Sequence, residues 1–143
     1  MADATVDRGL IDTSVVIALE LIDREVLPAE LAVSAITLAE LAAGPHATED
    51  ATERARRQER LQLTEATFDP IPFDAACARA YARVFTETLA AGRKARGRRA
   101  VDLLIAATAV ASGLPLYTAN PDDFAGLDGL LQLNAVNPMR AKS

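Results

Sequence analysis

The stretch that most restricts what this chain can fold into runs from Arg98 to Phe124, RRAVDLLIAATAVASGLPLYTANPDDF. Between Ala100 and Ala107 every residue but one is apolar, and the exception is a carboxylate, Asp102. The run reads as an apolar helix that begins near Ala100 and stops at Gly113. An unpaired charge in such a run is costly, so Asp102 is either at a helix end with access to water or held for chemistry.

The rest of the chain has to decide between these. With 143 residues, half of them hydrophobic, there is material for one substantial core, and the expectation is a single domain over 1–143 with residues 1–8 and 139–143 as flexible ends. A net charge of −5 argues against a general nucleic-acid coating protein and leaves room for a local basic patch. The single cysteine, Cys77, excludes an intramolecular disulfide framework. The start MADATVDRG lacks the apolar core of a signal peptide, and no apolar run is long enough to cross a membrane, which together predict a soluble, cytoplasmic chain.

In chain order, GLID reads as a short buried strand ending at Asp12, with Thr13 and Ser14 as capping hydroxyls for a helix that follows. Leu31 to Ser34 is a second strand, and Ser34 or Thr37 caps a helix carrying ITLAELAAG to the stop at Gly44 and Pro45. Residues 48–67 mix Glu, Arg and Gln with Ala and Leu as a solvated helix, and Asp69 to Phe73 is a third strand. Asp74 caps a long helix to about Ala91, the loop GRKARGRR leads into the apolar helix, Pro115 to Thr118 is a fourth strand, and LLQLNAV a fifth. Strands alternating with helices predict an α/β fold, a mostly parallel central sheet of about five strands flanked by helices on both faces.

That architecture places the acids. Helices that follow strands start at the carboxyl edge of a parallel sheet, so Asp12, Glu40, Asp102 and the TANPDDF loop are expected on one rim. Oxygen donors converging there suit a hard cation such as magnesium or manganese. Each acid also has a plainer reading. Asp12 can start a turn, Glu40 can close a capping box with Thr37, and Asp102 can complement a helix dipole. Their coincidence on one rim favours the site.

LIDTSVVIALE, ITLAELAAG and AVDLLIAATAVASGLPLYTANPDDF, in that order, resemble the successive motifs of the PIN-domain nucleases and, more narrowly, of the VapC toxins of bacterial toxin-antitoxin pairs. The resemblance spans Gly9 to Val136 and implies a PIN-like three-layer fold. It also implies Mg²⁺-dependent endoribonuclease activity, with Mn²⁺ as a substitute. The family's acidic site falls on Asp12, Glu40 and Asp102, with Asn120 where many members carry a fourth Asp. Asp12 and Asp102 are then the primary metal ligands, and Glu40 binds directly or through water or orients the attacking water. Asn120 offers a carbonyl oxygen, and Asp123 or Asp122 offers charge through water. Ser14 and Thr118 supply nearby hydroxyls, and Phe124 packs the loop shut. A VapB-like antitoxin in the groove beside the acids, inserting a cation, and a homodimer are further expectations of this resemblance. Two other readings stand beside it, a PIN nuclease of RNA maturation or decay without an antitoxin, and a non-catalytic regulatory binding module. An Asp-nucleophile phosphatase is disfavoured, because its D-x-D pattern needs an acid where Ser14 stands.

An acidic protein that cuts RNA also has to hold the phosphate backbone. Arg93, Lys94, Arg96, Arg98 and Arg99 are candidates for this, with an ordinary solvated loop as the alternative. Arg54, Arg56, Arg57 and Arg60, interleaved with Glu53 and Glu59, are expected to form surface ion pairs on their helix. His46 reads as a surface residue and Cys77 as a packed thiol. Tyr81, Phe85 and Leu89 recur at helical spacing as a core stripe, part of which can bury in a dimer.

Overall fold

Gly9, Leu10 and Ile11 bring only apolar side chains to a strand, and a strand of that kind has to be covered on both faces. In the computed structural model, which describes residues 7–138, they lie in β1 (Arg8–Ile11). β2 (Glu30–Ala32) and β3 (Leu116–Thr118) flank β1, and β4 (Leu133–Ala135) lies beyond β3, giving the parallel order β2-β1-β3-β4. Leu10 stands opposite both Ala32 and Leu116, and Ile11 opposite Tyr117.

Successive strand residues face opposite sides, and the core divides accordingly. Leu10, Ala32 and Leu116 join one cluster with Ala80 and Val84 of α4 (Ala75–Ala90) and with Leu103, Ala106 and Ala107 of α5 (Arg98–Ser112). Ile11 and Val33 join the other, with Val15 and Val16 of α1 (Thr13–Ile17) and Leu41 of α2 (Ala35–Ala43). α3 (Ala51–Thr67) covers this second side through Leu61. This is the expected three-layer arrangement.

The sheet has four strands rather than about five. Asp69 to Phe73 contributes a single bridge, in which Ile71 N–H donates to Val33 O at 2.9 Å and Ile71 O accepts from Ala35 N–H at 2.8 Å. Pro70 and Pro72 carry no N–H, and the neighbouring chain turns into α2 at Ala35, so the ladder cannot lengthen. At the amino end, Arg8 already belongs to β1 and Asp7 O accepts from Glu30 N–H, so the expected flexible end over 1–8 is ordered at its last two residues. Residues 1–6 and the expected end over 139–143 lie outside the described residues.

Two helix readings also change. Asp12 itself caps α1, which releases Thr13 and Ser14 for other bonds. On α4 the buried stripe is Cys77, Ala80, Val84 and Thr88, while Phe85 is 38% and Leu89 50% exposed, because the small side chains are the ones that fit against α5.

Gly9 is squeezed between neighbours, since an added Cβ would stand 2.5 Å from Tyr117 Cε1 and 3.0 Å from Pro28 Cγ. Gly9→Ala is therefore expected to lower folding stability by about 1–3 kcal/mol in urea titration. Combining it with Tyr117→Ala should cost less than the sum of the single changes. A single-variant loss near zero would mean that the ring swings clear.

Candidate active site

β1 connects to β2 on one side, and the chain returns as β3 on the other, so the crossovers diverge between β1 and β3. A crevice is left at the carboxyl ends of those two strands, the usual place for a ligand in an open α/β sheet. Asp12 and Thr118 close the strands there.

Asp12 is 4% exposed and satisfied by protein donors. Its Oδ1 accepts from Val15 N–H at 3.0 Å and from the Ser14 hydroxyl at 2.6 Å, and its Oδ2 accepts from the Thr118 hydroxyl at 2.5 Å. Those hydroxyls accept in turn, Ser14 from Ala119 N–H at 3.0 Å and Thr118 from Asn120 N–H at 2.9 Å. Burial pushes the Asp12 carboxyl above its ordinary pKa, and the three donors pull the other way without cancelling it. Asp12 does start a turn, and it is also the floor of the crevice.

Glu40 is not part of a capping box. Ser34 caps α2 by accepting from Thr37 N–H at 3.0 Å, which leaves Glu40 beyond the first turn, where its Oε1 accepts from the Thr13 hydroxyl at 2.5 Å. Asp102 is not a helix-dipole residue either, since α5 begins at Arg98 and its first turn contains no acid. A dipole partner would hold its proton loosely. Asp102 instead has its pKa raised to about 7, first by burial and then by the negative charges of Asp123, Glu40 and Asp12, with Arg99 opposing.

A cleft of about 600 Å³ gathers Asp12, Glu40, Asp102, Asn120 and Asp123 along its walls. Asp123 rather than Asp122 faces it. The turn that carries both, Pro121–Phe124, is anchored by Phe124, 1% exposed. Arg99 donates to Asp123 O at 3.0 Å and Arg93 to Asp122 O at 3.3 Å. Two of the five loop cations thus hold the turn in place. Of the other three, Arg98 borders the cleft, whereas Lys94 and Arg96 are exposed and do not line it.

Sequence reading missed the cations of α3 and the role of Thr13. Arg57 bonds Glu53 at 2.8 Å and Gly44 O at 3.0 Å, and Arg56 reaches Glu53 at 3.4 Å, so these two behave as expected. Arg54 bonds backbone carbonyls, those of Pro45 and Thr48. Arg60 has no side-chain hydrogen bond or ion pair among the described residues, and it lines the cleft with Arg57. The three-residue spacing of Arg57 and Arg60 put them on one helix face, but only the packing of α3 against α2 shows what that face borders. His46 is exposed and Cys77 is 2% exposed, both as expected.

A second, larger hollow of about 810 Å³ lies between α1 and α3, lined by Ile17, Leu19, Leu63 and Phe68 and by none of Asp12, Glu40, Asp102 and Asp123. Ile17 and Arg60 line both spaces. The larger hollow is the more apolar one; Asp12, Glu40, Asp102 and Asp123 line the smaller.

The cleft fits a hard divalent cation in kind. Its donors are all oxygens, and burial together with the neighbouring carboxylates raises the Asp102 carboxyl pKa to about 7, a penalty that a divalent cation would relieve. In spacing, no three Asp, Glu, His or Cys side chains among the described residues are close enough together to share an ion, so binding one requires the carboxylates to move closer together.

The family described as PIN domain matches residues 10–130. The chain is 37% identical over 131 residues to ribonuclease VapC5 of Mycobacterium tuberculosis, covering 90% of this chain and 93% of that protein. It is 39% identical over 113 residues to ribonuclease VapC8 of the same species, covering 76% and 96%. Among solved structures, a member of the VapBC family of toxin-antitoxin systems, VapBC-5 from Mycobacterium tuberculosis, superposes with a TM-score of 0.78 at 37% identity over 92% of this chain and 98% of that one.

Asp102 holds its proton more tightly folded than unfolded, where the carboxyl titrates near 3.8. Between about 4 and 7 the folded state carries the extra proton, so this group's contribution favours folding at low pH and is lost as the pH rises through about 7. In metal-free buffer, Asp102→Asn is expected to raise the melting temperature at pH 8 by several degrees and to flatten its change between pH 5 and 8. A variant that melts lower at pH 8 would show instead that the fold needs the charge.

Proposed function

This chain belongs to the PIN-domain family, and from that premise we propose that it is a VapC-type ribonuclease, the toxin of a VapBC-type toxin-antitoxin pair, hydrolysing RNA in the acidic cleft. The observation that carries the reading is the crowding of Asp12, Glu40, Asp102 and Asp123, drawn from four separate segments, at the point where the crossovers diverge.

Asp12 and Asp102 are the primary ligands for Mg²⁺ or Mn²⁺, with Glu40 direct or through water, and Asp123 and the Asn120 carbonyl completing the set. A bound divalent ion supplies charge that offsets the negative charge developing on the phosphate and lowers the proton affinity of the attacking water. The chain's own groups do the rest. The donors on Asp12 fix its carboxylate in place. Glu40 keeps one oxygen, Oε2, without a donor among the described residues, available to accept a proton from water. Arg98 on α5 and Arg60 on α3, neither paired within the described chain, hold backbone phosphates from two different helices.

The partner is a VapB-like antitoxin, as in the VapBC complex that this chain resembles. The apolar hollow that shares Ile17 and Arg60 with the cleft offers such a partner a seat from which a cation can reach the carboxylates. The exposed Phe85 and Leu89 on α4 suit a second copy of the chain. Among the described residues no helix is long and apolar enough to cross a membrane; the proposed place of action is the cytoplasm, where cellular RNA is found.

Purified protein free of antitoxin, incubated with total cellular RNA and Mg²⁺, is expected to give discrete fragments that are absent with EDTA and with Asp12→Ala. Intact RNA throughout, from folded protein, would point to a regulatory binding module. Cleavage by a protein whose expression does not arrest growth would point to a maturation or decay nuclease. Arg60→Ala and Arg98→Ala should each flatten the dependence of log K on log salt for single-stranded RNA by about 0.7, whereas Lys94→Ala and Arg96→Ala leave it nearly unchanged.

A further inference from the structure

Thr13 was expected to cap a helix and does not; Asp12 does. Its hydroxyl lies instead 2.5 Å from Glu40 Oε1 and 3.0 Å from the Thr37 hydroxyl. The Thr37 hydroxyl lies 3.4 Å from that of Ser34, and Ser34 Oγ accepts from Thr37 N–H at 3.0 Å. Ser34 and Thr37 are both fully buried, whereas Glu40 is exposed at the cleft wall.

Each hydroxyl has one proton to give. Thr13 points its proton toward two acceptors, Glu40 Oε1 and the Thr37 hydroxyl oxygen, of which the Glu40 contact is the shorter. Thr37 Oγ1 accepts from the Ser34 hydroxyl as well, at 3.4 Å. The result is a connected set of hydroxyls, Ser34, Thr37 and Thr13, that starts in the core and ends on the Glu40 carboxylate. Ser34 is itself held by a backbone N–H.

An exposed glutamate otherwise loses considerable rotamer freedom when it is fixed at a site. Here the freedom is restricted in advance, with Oε1 held and Oε2 left for another partner. We propose that Thr13 is the positioning residue for Glu40, acting through this hydroxyl chain anchored at Ser34. The chain also joins α1 to α2 next to Asp12, so the placements of Asp12 and Glu40 are linked through neighbouring residues. This rests on the reading of the cleft as a metal-dependent ribonuclease site.

The test compares wild type, Thr13→Val, Thr13→Ser and Glu40→Gln. Binding of Mn²⁺ is read from the electron paramagnetic resonance signal of the free ion, RNA cleavage is resolved into kcat and KM, and all work is done below the melting transition of each variant. Thr13→Val keeps the branched shape and removes the hydroxyl. It is expected to weaken Mn²⁺ binding by about 10–100-fold, the usual effect of removing a group that orients a ligand. It should lower kcat and leave KM for RNA unchanged. Thr13→Ser should restore both, and a purely structural role would move the melting temperature without this pattern. Thr13→Val that binds Mn²⁺ and turns over like wild type, while Glu40→Gln does not, overturns the proposal and leaves the ribonuclease reading standing. Thr13→Ser as impaired as Thr13→Val overturns it too. Wild type that neither binds Mn²⁺ nor cleaves, or Glu40→Gln that does both normally, overturns the underlying assignment and this proposal with it.

Discussion

The Asp12 carboxylate, almost completely buried and accepting from Val15 N–H and the Ser14 and Thr118 hydroxyls, ties the end of β1 to the end of β3 where the sheet has no crossover of its own to close it. A buried carboxylate without partners would be too costly to keep, and three donors offset much of that cost. The two hydroxyls accept in turn, Ser14 from Ala119 N–H and Thr118 from Asn120 N–H, so the entry to the loop after β3 is fixed by the network that holds Asp12. From that loop come the Pro121–Phe124 turn, its buried Phe124 and the cleft-facing Asp123.

Other carboxylates in the cleft are treated differently. Asp102 sits in a helix otherwise devoted to the core, is held up to a pKa near 7 by burial and by its acidic neighbours, and has no donor comparable to those of Asp12. A chain selected only for stability would place an apolar residue there. Local conflict of this kind, set beside a well-packed interior, marks a site where stability is given up for function. The cations divide in the same way. Arg93 and Arg99 spend their guanidinium groups on carbonyls of the turn and Arg57 on Glu53 and Gly44, which leaves Arg60 and Arg98 at the cleft without a side-chain partner among the described residues.

Much of this was legible in the chain. The apolar runs at Gly9–Ile11 and Leu116, the caps Ser34 and Asp74 and the stop at Gly113 each act over a few residues, and sequence shows such signals directly. Asp69 to Phe73 misled because its composition suits a strand, while pairing depended on where a distant segment, Val33 to Ala35, leaves the sheet. Of the stripe Tyr81, Phe85 and Leu89, Tyr81 packs against the core as expected, while Phe85 and Leu89 misled because large apolar residues usually face the core, whereas close packing of α4 on α5 selects small ones.

The sequence by itself determined the layered α/β arrangement and the three acids Asp12, Glu40 and Asp102 as candidates, because periodicity and a charge within an apolar run are properties of neighbouring residues. Only the tertiary structure decided which groups hold one another. The choice of Asp123 over Asp122, the assignment of Arg60 to the cleft, and the bonds from Thr118 to Asp12 and from Thr13 to Glu40 join residues up to 106 positions apart. Hydrogen bonds and charge repulsion act over a few ångströms of space, and the packing of helices on the sheet sets which distant residues come within that range.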